Sequence, residues 1–95
     1  MIYLKDLGFE DEFIDMMNNN LPEKALIKLN EEKDNVIANI NYLRELGISN
    51  YQEAFAKFYN MFLLDNATFS EIFSKYDKDD LIAKLEKNIA ILEYL

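Results

Sequence analysis

Apolar residues recur along most of this chain at helical spacing. In "NYQEAFAKFYNMF" the positions Tyr51, Ala54, Phe55, Phe58 and Phe62 form one stripe of an amphipathic helix. Asn50 with Glu53 three residues on predicts a capping box at its start, and Ser49 with Gln52 offers a competing register. "ATFSEIFSKY" repeats the pattern with Phe69, Ile72, Phe73 and Tyr76, and Thr68-x-x-Glu71 is its start signal. "DKDDLIAKLEKNIAILEYL" predicts one long helix with Leu81, Leu85, Ile89, Leu92 and Leu95 on a side. Asp77 is its N-cap, and Asp79 and Asp80 favour the helix dipole.

The earlier segments follow the same logic. "EEKDNVIANINYLREL" places Val36, Ile40, Leu43 and Leu46 together, with Asn30 to cap its start and Gly47 as a left-handed C-cap. "IYLKDL" reads as a short helix ended by Gly8. "EDEFIDMM" sets Phe13, Met16 and Met17 on one side. Pro22 falls in the first turn of a further short helix, where a missing N–H costs little. No segment shows sustained alternation. The expectation is an all-α fold of about six helices, forming one compact domain over residues 1–95.

Six residues occur almost twice. "YLKDLG" at Tyr3–Gly8 returns as "YLRELG" at Tyr42–Gly47, and Tyr94-Leu95 ends the chain on the opening of the same mark. "IANINYL" and "IAILEYL" precede the second and third marks. The pattern predicts two imperfect helical repeat units, about 3–41 and 42–95, each burying its apolar face on its neighbour.

The stretches "YLKDLGFEDEFIDMMNNNLPEKAL" and "YLRELGISNYQEAFAKFYNMFLLD" resemble the repeat of the mitochondrial transcription termination factor family. The resemblance implies stacked three-helix units and nucleic-acid binding on a basic concave surface. The proline that opens the short segment of such a unit is present once, as Pro22. Arg44 is the sole arginine, and nine lysines face eighteen carboxylates, so no binding residue is carried over.

Charge and composition narrow the function. A net charge of −8 repels a phosphate backbone and an anionic membrane surface, so the expected partner is a protein with a basic surface. The chain has no cysteine and no histidine, which removes thiolate chemistry, the usual general base near neutral pH and the commonest metal ligand. No cofactor is expected. No apolar run approaches the roughly 18 residues of a membrane span, and the acidic N-terminus is unlike a signal peptide, so the expected location is cytoplasmic. "YDKDD" fails as a calcium loop: counted from Asp77, Leu81, Ile82 and Asn88 stand where an oxygen ligand, Gly and Glu are needed.

Three groups of residues stand out for binding. Glu10, Asp11, Glu12 and Asp15 either dock a basic surface or stabilise a helix N-terminus. Tyr59 lies off the main stripe and is expected to be exposed, while Met61 to Leu64 form either a buried turn or a partner patch. Ile91, Leu92, Tyr94 and Leu95 occupy more than one stripe, so they predict exposed apolar surface that a homodimer would cover. Together these features predict a non-catalytic, acidic protein–protein interaction module: an inhibitor or adaptor of a nucleic-acid-handling protein, in the manner of small phage and mobile-element inhibitors. The alternatives are a nucleic-acid-binding helical repeat protein and a homo-oligomeric structural protein.

Overall fold

The computed structural model describes residues 3–95, and among them the fold is all-α with no strand. Seven α-helices are present: α1 (Tyr3–Asp6), α2 (Asp11–Asn20), α3 (Glu23–Glu31), α4 (Lys33–Leu46), α5 (Tyr51–Lys57), α6 (Asn66–Ser74) and α7 (Lys78–Lys87). Two 3-10 segments, Tyr59–Leu63 and Ile89–Tyr94, follow α5 and α7. The helix expected at "IYLKDL" is described from Tyr3 onward; Ile2 lies outside the described residues.

The repeated six residues build the same device twice. Gly8 and Gly47 both take left-handed backbone, at φ 87° and 103°. In the first copy the Phe9 N–H donates to the Leu4 carbonyl at 3.0 Å and Gly8 to Lys5 at 3.0 Å. In the second, Ile48 donates to Leu43 at 3.1 Å and Gly47 to Arg44 at 3.2 Å. This is a Schellman stop, in which glycine supplies the left-handed turn and an apolar residue beyond it folds back on the helix. Leu4, Phe9, Leu43 and Ile48 are all buried. The tyrosines also correspond. Tyr3 donates its hydroxyl to the Leu29 carbonyl of α3, and Tyr42 to the Ser70 carbonyl of α6. Tyr94 shares none of this: it ends a 3-10 segment and is 82% exposed.

Helix α4 runs through the centre, packed by α3, α5, α6 and the first 3-10 segment. Its Val36, Asn39, Ile40 and Leu43 are fully buried, one face at i, i+3, i+4 and i+7. Around it runs a chain of aromatic rings. Phe9 meets Phe55 at 5.7 Å between centroids, Phe55 meets Phe62 at 5.1 Å, Phe62 meets Phe69 at 5.1 Å, and Phe69 meets Phe73 at 4.9 Å. Each such pair contributes about 0.5–1.5 kcal/mol beyond its buried area. The chain ties the turn after α1 to the last third of the molecule.

Two helices expected to be continuous are broken. The stripe from Tyr51 to Phe62 turns at Phe58 (φ −127°, ψ 42°) into a 3-10 segment. The reason lies in α4: the Asn39 amide donates to the carbonyls of Phe62 at 2.9 Å and Leu64 at 2.7 Å, while Asn35 donates to those of Leu63 and Leu64. These side chains satisfy carbonyls that lie at the end of the 3-10 turn, where no further turn can take them. The second break is at Asn88 (φ −152°, ψ 99°), whose side chain accepts the Ala90 N–H and restarts the chain as 3-10.

Helix starts also differ from expectation. The N-cap of α6 is Asp65, which accepts the Thr68 N–H at 2.7 Å; Thr68 is inside the helix and does not begin it. Asn30 lies within α3 and caps nothing, and α4 begins after Glu32 without a side-chain cap. Asn50 precedes α5, but its amide donates to the Leu85 carbonyl at 3.0 Å and caps no N–H of α5. Asp77 is the cap of α7, accepting from Asp80.

Candidate functional site

The 3-10 segment Ile89–Tyr94 sits against α7 and α5 and helps to wall two clefts. With three residues per turn, Ile89, Leu92 and Leu95 share one side, and Ile91 and Tyr94 another. Ile89 and Leu92 are buried and Leu95 is partly exposed. On one flank lies a cleft of about 440 Å³ walled by Phe58, Met61, Ile72, Leu92 and Leu95, with Lys57, Asn60 and Glu93 on its rim. On the other lies a smaller cleft of about 210 Å³ formed by Tyr76, Leu81, Ile91, Tyr94 and Leu95, with Asp80 and Lys84 beside it. Leu95 lines both.

Met61 therefore joins Leu92 and Leu95 in one cleft, two sets of residues that are far apart in sequence. Ile91, Tyr94 and Leu95 line the other. Leu92 is 4% exposed and belongs to the core, so it is the wall of a cleft and offers no projecting contact. Tyr59 is half-buried, not the exposed aromatic that its position off the stripe suggested, and it lines neither cleft. Leu64 is exposed, but its carbonyl is bound by Asn35 and Asn39.

Glu10, Asp11, Glu12 and Asp15 stand apart from both clefts, all exposed around the start of α2. Their backbone is anchored, because the Glu10 N–H donates to Gln52 Oε1 of α5 at 2.9 Å. Asp11 reaches Lys5 at 3.9 Å with both side chains about three-quarters exposed, a contact of little energy. Glu10, Glu12 and Asp15 have no ion pair among the described residues. Asp11 and Glu12 also occupy the first turn, where the helix dipole favours them, so the arrangement serves both readings of the cluster.

Arg44 lies over the Tyr51 ring at 5.4 Å and donates to Asn41 Oδ1 at 3.4 Å, beside a polar depression that also touches Glu45. Among the described residues two titratable groups are displaced, and both belong to the framework. Burial pushes the Tyr3 phenol up to about 12. The Thr68 N–H holds the Asp65 carboxyl below its usual range. Among the described residues no group of three or more acidic side chains is arranged to hold a metal ion, and no helix is long and apolar enough to cross a membrane.

The sequence marks Met61, Ile91, Leu92, Tyr94 and Leu95 among the cleft residues, but Phe58, Ile72, Tyr76 and Leu81, which complete the walls, read only as members of helix stripes. Nothing local marks the point at which the chain leaves the helix at Phe58.

The fold and surface define a small acidic helical domain with an open apolar face and a separate carboxylate cluster. No family model matches the chain, and searches of curated proteins and of solved structures return no match.

Proposed function

We propose that this protein is a non-catalytic interaction module of the cytoplasm, an inhibitor or adaptor that docks on the basic surface of a nucleic-acid-handling protein. The observation that carries this reading is the opening of α2. Glu10, Asp11, Glu12 and Asp15 are exposed together on an anchored turn, and three of the four have no ion pair among the described residues. A cluster of that kind, in a molecule of charge −8, raises the local concentration of a basic partner and speeds its encounter. The sequence supports binding over catalysis, since it contains neither histidine nor cysteine.

The two matching helix stops favour a second reading, the nucleic-acid-binding repeat that the termination-factor resemblance implies. Affinity capture from cells that contain the protein, run with and without nuclease, separates the two. A stoichiometric protein that survives nuclease, and is lost when Glu10, Asp11 and Glu12 are changed to Lys, is the expected result. Recovery that disappears on nuclease treatment overturns the protein-partner reading and leaves the nucleic-acid one.

A further inference from the structure

The two 3-10 segments are held in different ways. At the first, Asn39 uses its whole amide: it donates to the Phe62 and Leu64 carbonyls and accepts from Asn66. At the second, the side chain beside the break is Asn50, whose Nδ2 donates to the Leu85 carbonyl at 3.0 Å. That carbonyl is the one a continuing α7 offers to the Ile89 N–H, four residues on. Helix α7 instead makes its last bond from Asn88 to Lys84, and the Ile89 N–H donates to no backbone carbonyl among the described residues. Asn50 Oδ1, meanwhile, is buried and accepts no hydrogen bond from the protein. Turning the amide over gives no relief, since it sets oxygen against the Leu85 oxygen. A buried acceptor without a partner weighs against the arrangement that buries it.

The residues beyond the break fit two backbones. In the 3-10 form Ile89 and Leu92 share a side and are buried. On a continuous α-helix they fall eight and eleven residues after Leu81, on the stripe that Leu81 and Leu85 begin. Six residues is also long for 3-10 geometry, which rarely exceeds about three or four and often marks a hinge. We infer that Ile89–Leu95 is a strap and Asn50 its latch. When the amide leaves the Leu85 carbonyl, the Ile89 N–H takes it, α7 runs on through Asn88, and the strap lifts from α5. Leu95 then stands about 12 Å beyond Lys87 along the helix axis, and Ile89 and Leu92 leave their places against α5. Burial of those two residues favours the closed strap. The recovered helix bonds and the freed Asn50 Oδ1 favour the open one.

NMR on the full chain tells the two backbones apart. In the wild type Asn88 is expected to show the Cα carbon shift of extended backbone, as its φ of −152° and ψ of 99° require. Asn50→Asp replaces the donor nitrogen by oxygen and leaves a favoured N-cap residue before α5. Asn88→Ala, at an exposed position, removes the bond to the Ala90 N–H and supplies a strong helix former. The double variant is expected to move residue 88 to a helical Cα shift. It should also give a nuclear Overhauser contact from the Leu85 α-proton to the Ile89 amide, the mark of α geometry. A folded double variant whose residue 88 stays extended overturns the inference, because packing of Ile89 and Leu92 then sets the bend without the latch. Should the double variant fail to fold, Asn88→Ala alone decides by the same two readings: a shift toward helix supports the strap, and an unmoved residue 88 overturns it. A wild-type Asn88 that is already helical leaves no closed strap to release, and overturns it too.

Discussion

A methyl group added at Gly8 or Gly47 tests the two helix stops directly. Both residues sit at positive φ, where a Cβ crowds the following carbonyl at about 1–2 kcal/mol. Gly8 has open space around the new atom, whereas at Gly47 it meets Ile82 Cδ1 at 3.4 Å. Gly8→Ala is expected to lose about 1 kcal/mol and Gly47→Ala at least as much, read as shifts in the urea midpoint. Tyr3 makes a different prediction. Its phenol ionises near 10 when unfolded and near 12 when folded, so the folded state holds its proton longer. Stability from this group is complete below pH 10 and falls as pH rises from 10 to about 12. Tyr3→Phe should flatten that alkaline limb, at a cost of about 1 kcal/mol for the lost bond to Leu29. Asp65 works in the opposite sense. Its carboxyl is held down by the Thr68 N–H, so the cap on α6 weakens as pH falls below the ordinary 3.8.

Among the elements, the first 3-10 segment depends on α4 more than on its own sequence. Asn39 is fully buried, donates to the carbonyls of Phe62 and Leu64, and accepts from Asn66 at 3.1 Å. Removing the amide leaves the buried Phe62 carbonyl and the part-buried Asn66 amide short of a partner, each at about 1–3 kcal/mol before relaxation and water entry, while Asn35 still donates to Leu64. Asn39→Ala is therefore expected to destabilise the protein by at least about 2 kcal/mol. It should also raise amide hydrogen exchange selectively across Tyr59–Leu64. Exchange that rises uniformly, with no excess in this segment, would mean that Phe55, Phe62 and Phe69 hold the segment without the amide. Those rings supply the alternative anchor, since Phe62 is fully buried between the other two. The two tests separate packing from hydrogen bonding in one element.

For the whole molecule the governing quantity is unbalanced charge. Three i,i+4 pairs, Lys28–Glu32, Lys57–Glu53 and Lys84–Asp80, lie on exposed helix surface. Each is worth about 0.3–0.5 kcal/mol and is weakened by salt. The excess of eight negative charges repels itself, and salt weakens that too. The repulsion involves many more charge pairs, so raising salt from about 10 mM to about 150 mM should increase the urea midpoint. A decrease would mean that the ion pairs outweigh the repulsion. Partner capture through Glu10, Asp11 and Glu12 should weaken over the same range, because steering of a basic surface is screened by the same ions.

The sequence alone determined whatever depends on neighbours along the chain. Helical periodicity is local, and it marked the apolar faces of α4, α6 and α7. Glycine at a helix end acts through its own backbone, so "YLKDLG" and "YLRELG" were legible as stops, and their recurrence is one turn geometry used twice. Asp77 capped as expected because a cap reaches two or three residues. The nearby start of α6 was legible in principle, since Asp65 obeys the same rule, but the Thr68-x-x-Glu71 pattern obscured it. Tertiary structure decided the rest. The stripe from Tyr51 to Phe62 fits a continuous helix, and it breaks because amides from Asn35 and Asn39, over twenty residues away, bind carbonyls beyond the break. Leu92 was expected at the surface, but the turn at Asn88 rotates it into the core and leaves Tyr94 outside. The cleft exists because of those two breaks. They place Phe58, Met61 and Leu95 side by side, and no pattern confined to one segment of chain can encode that meeting.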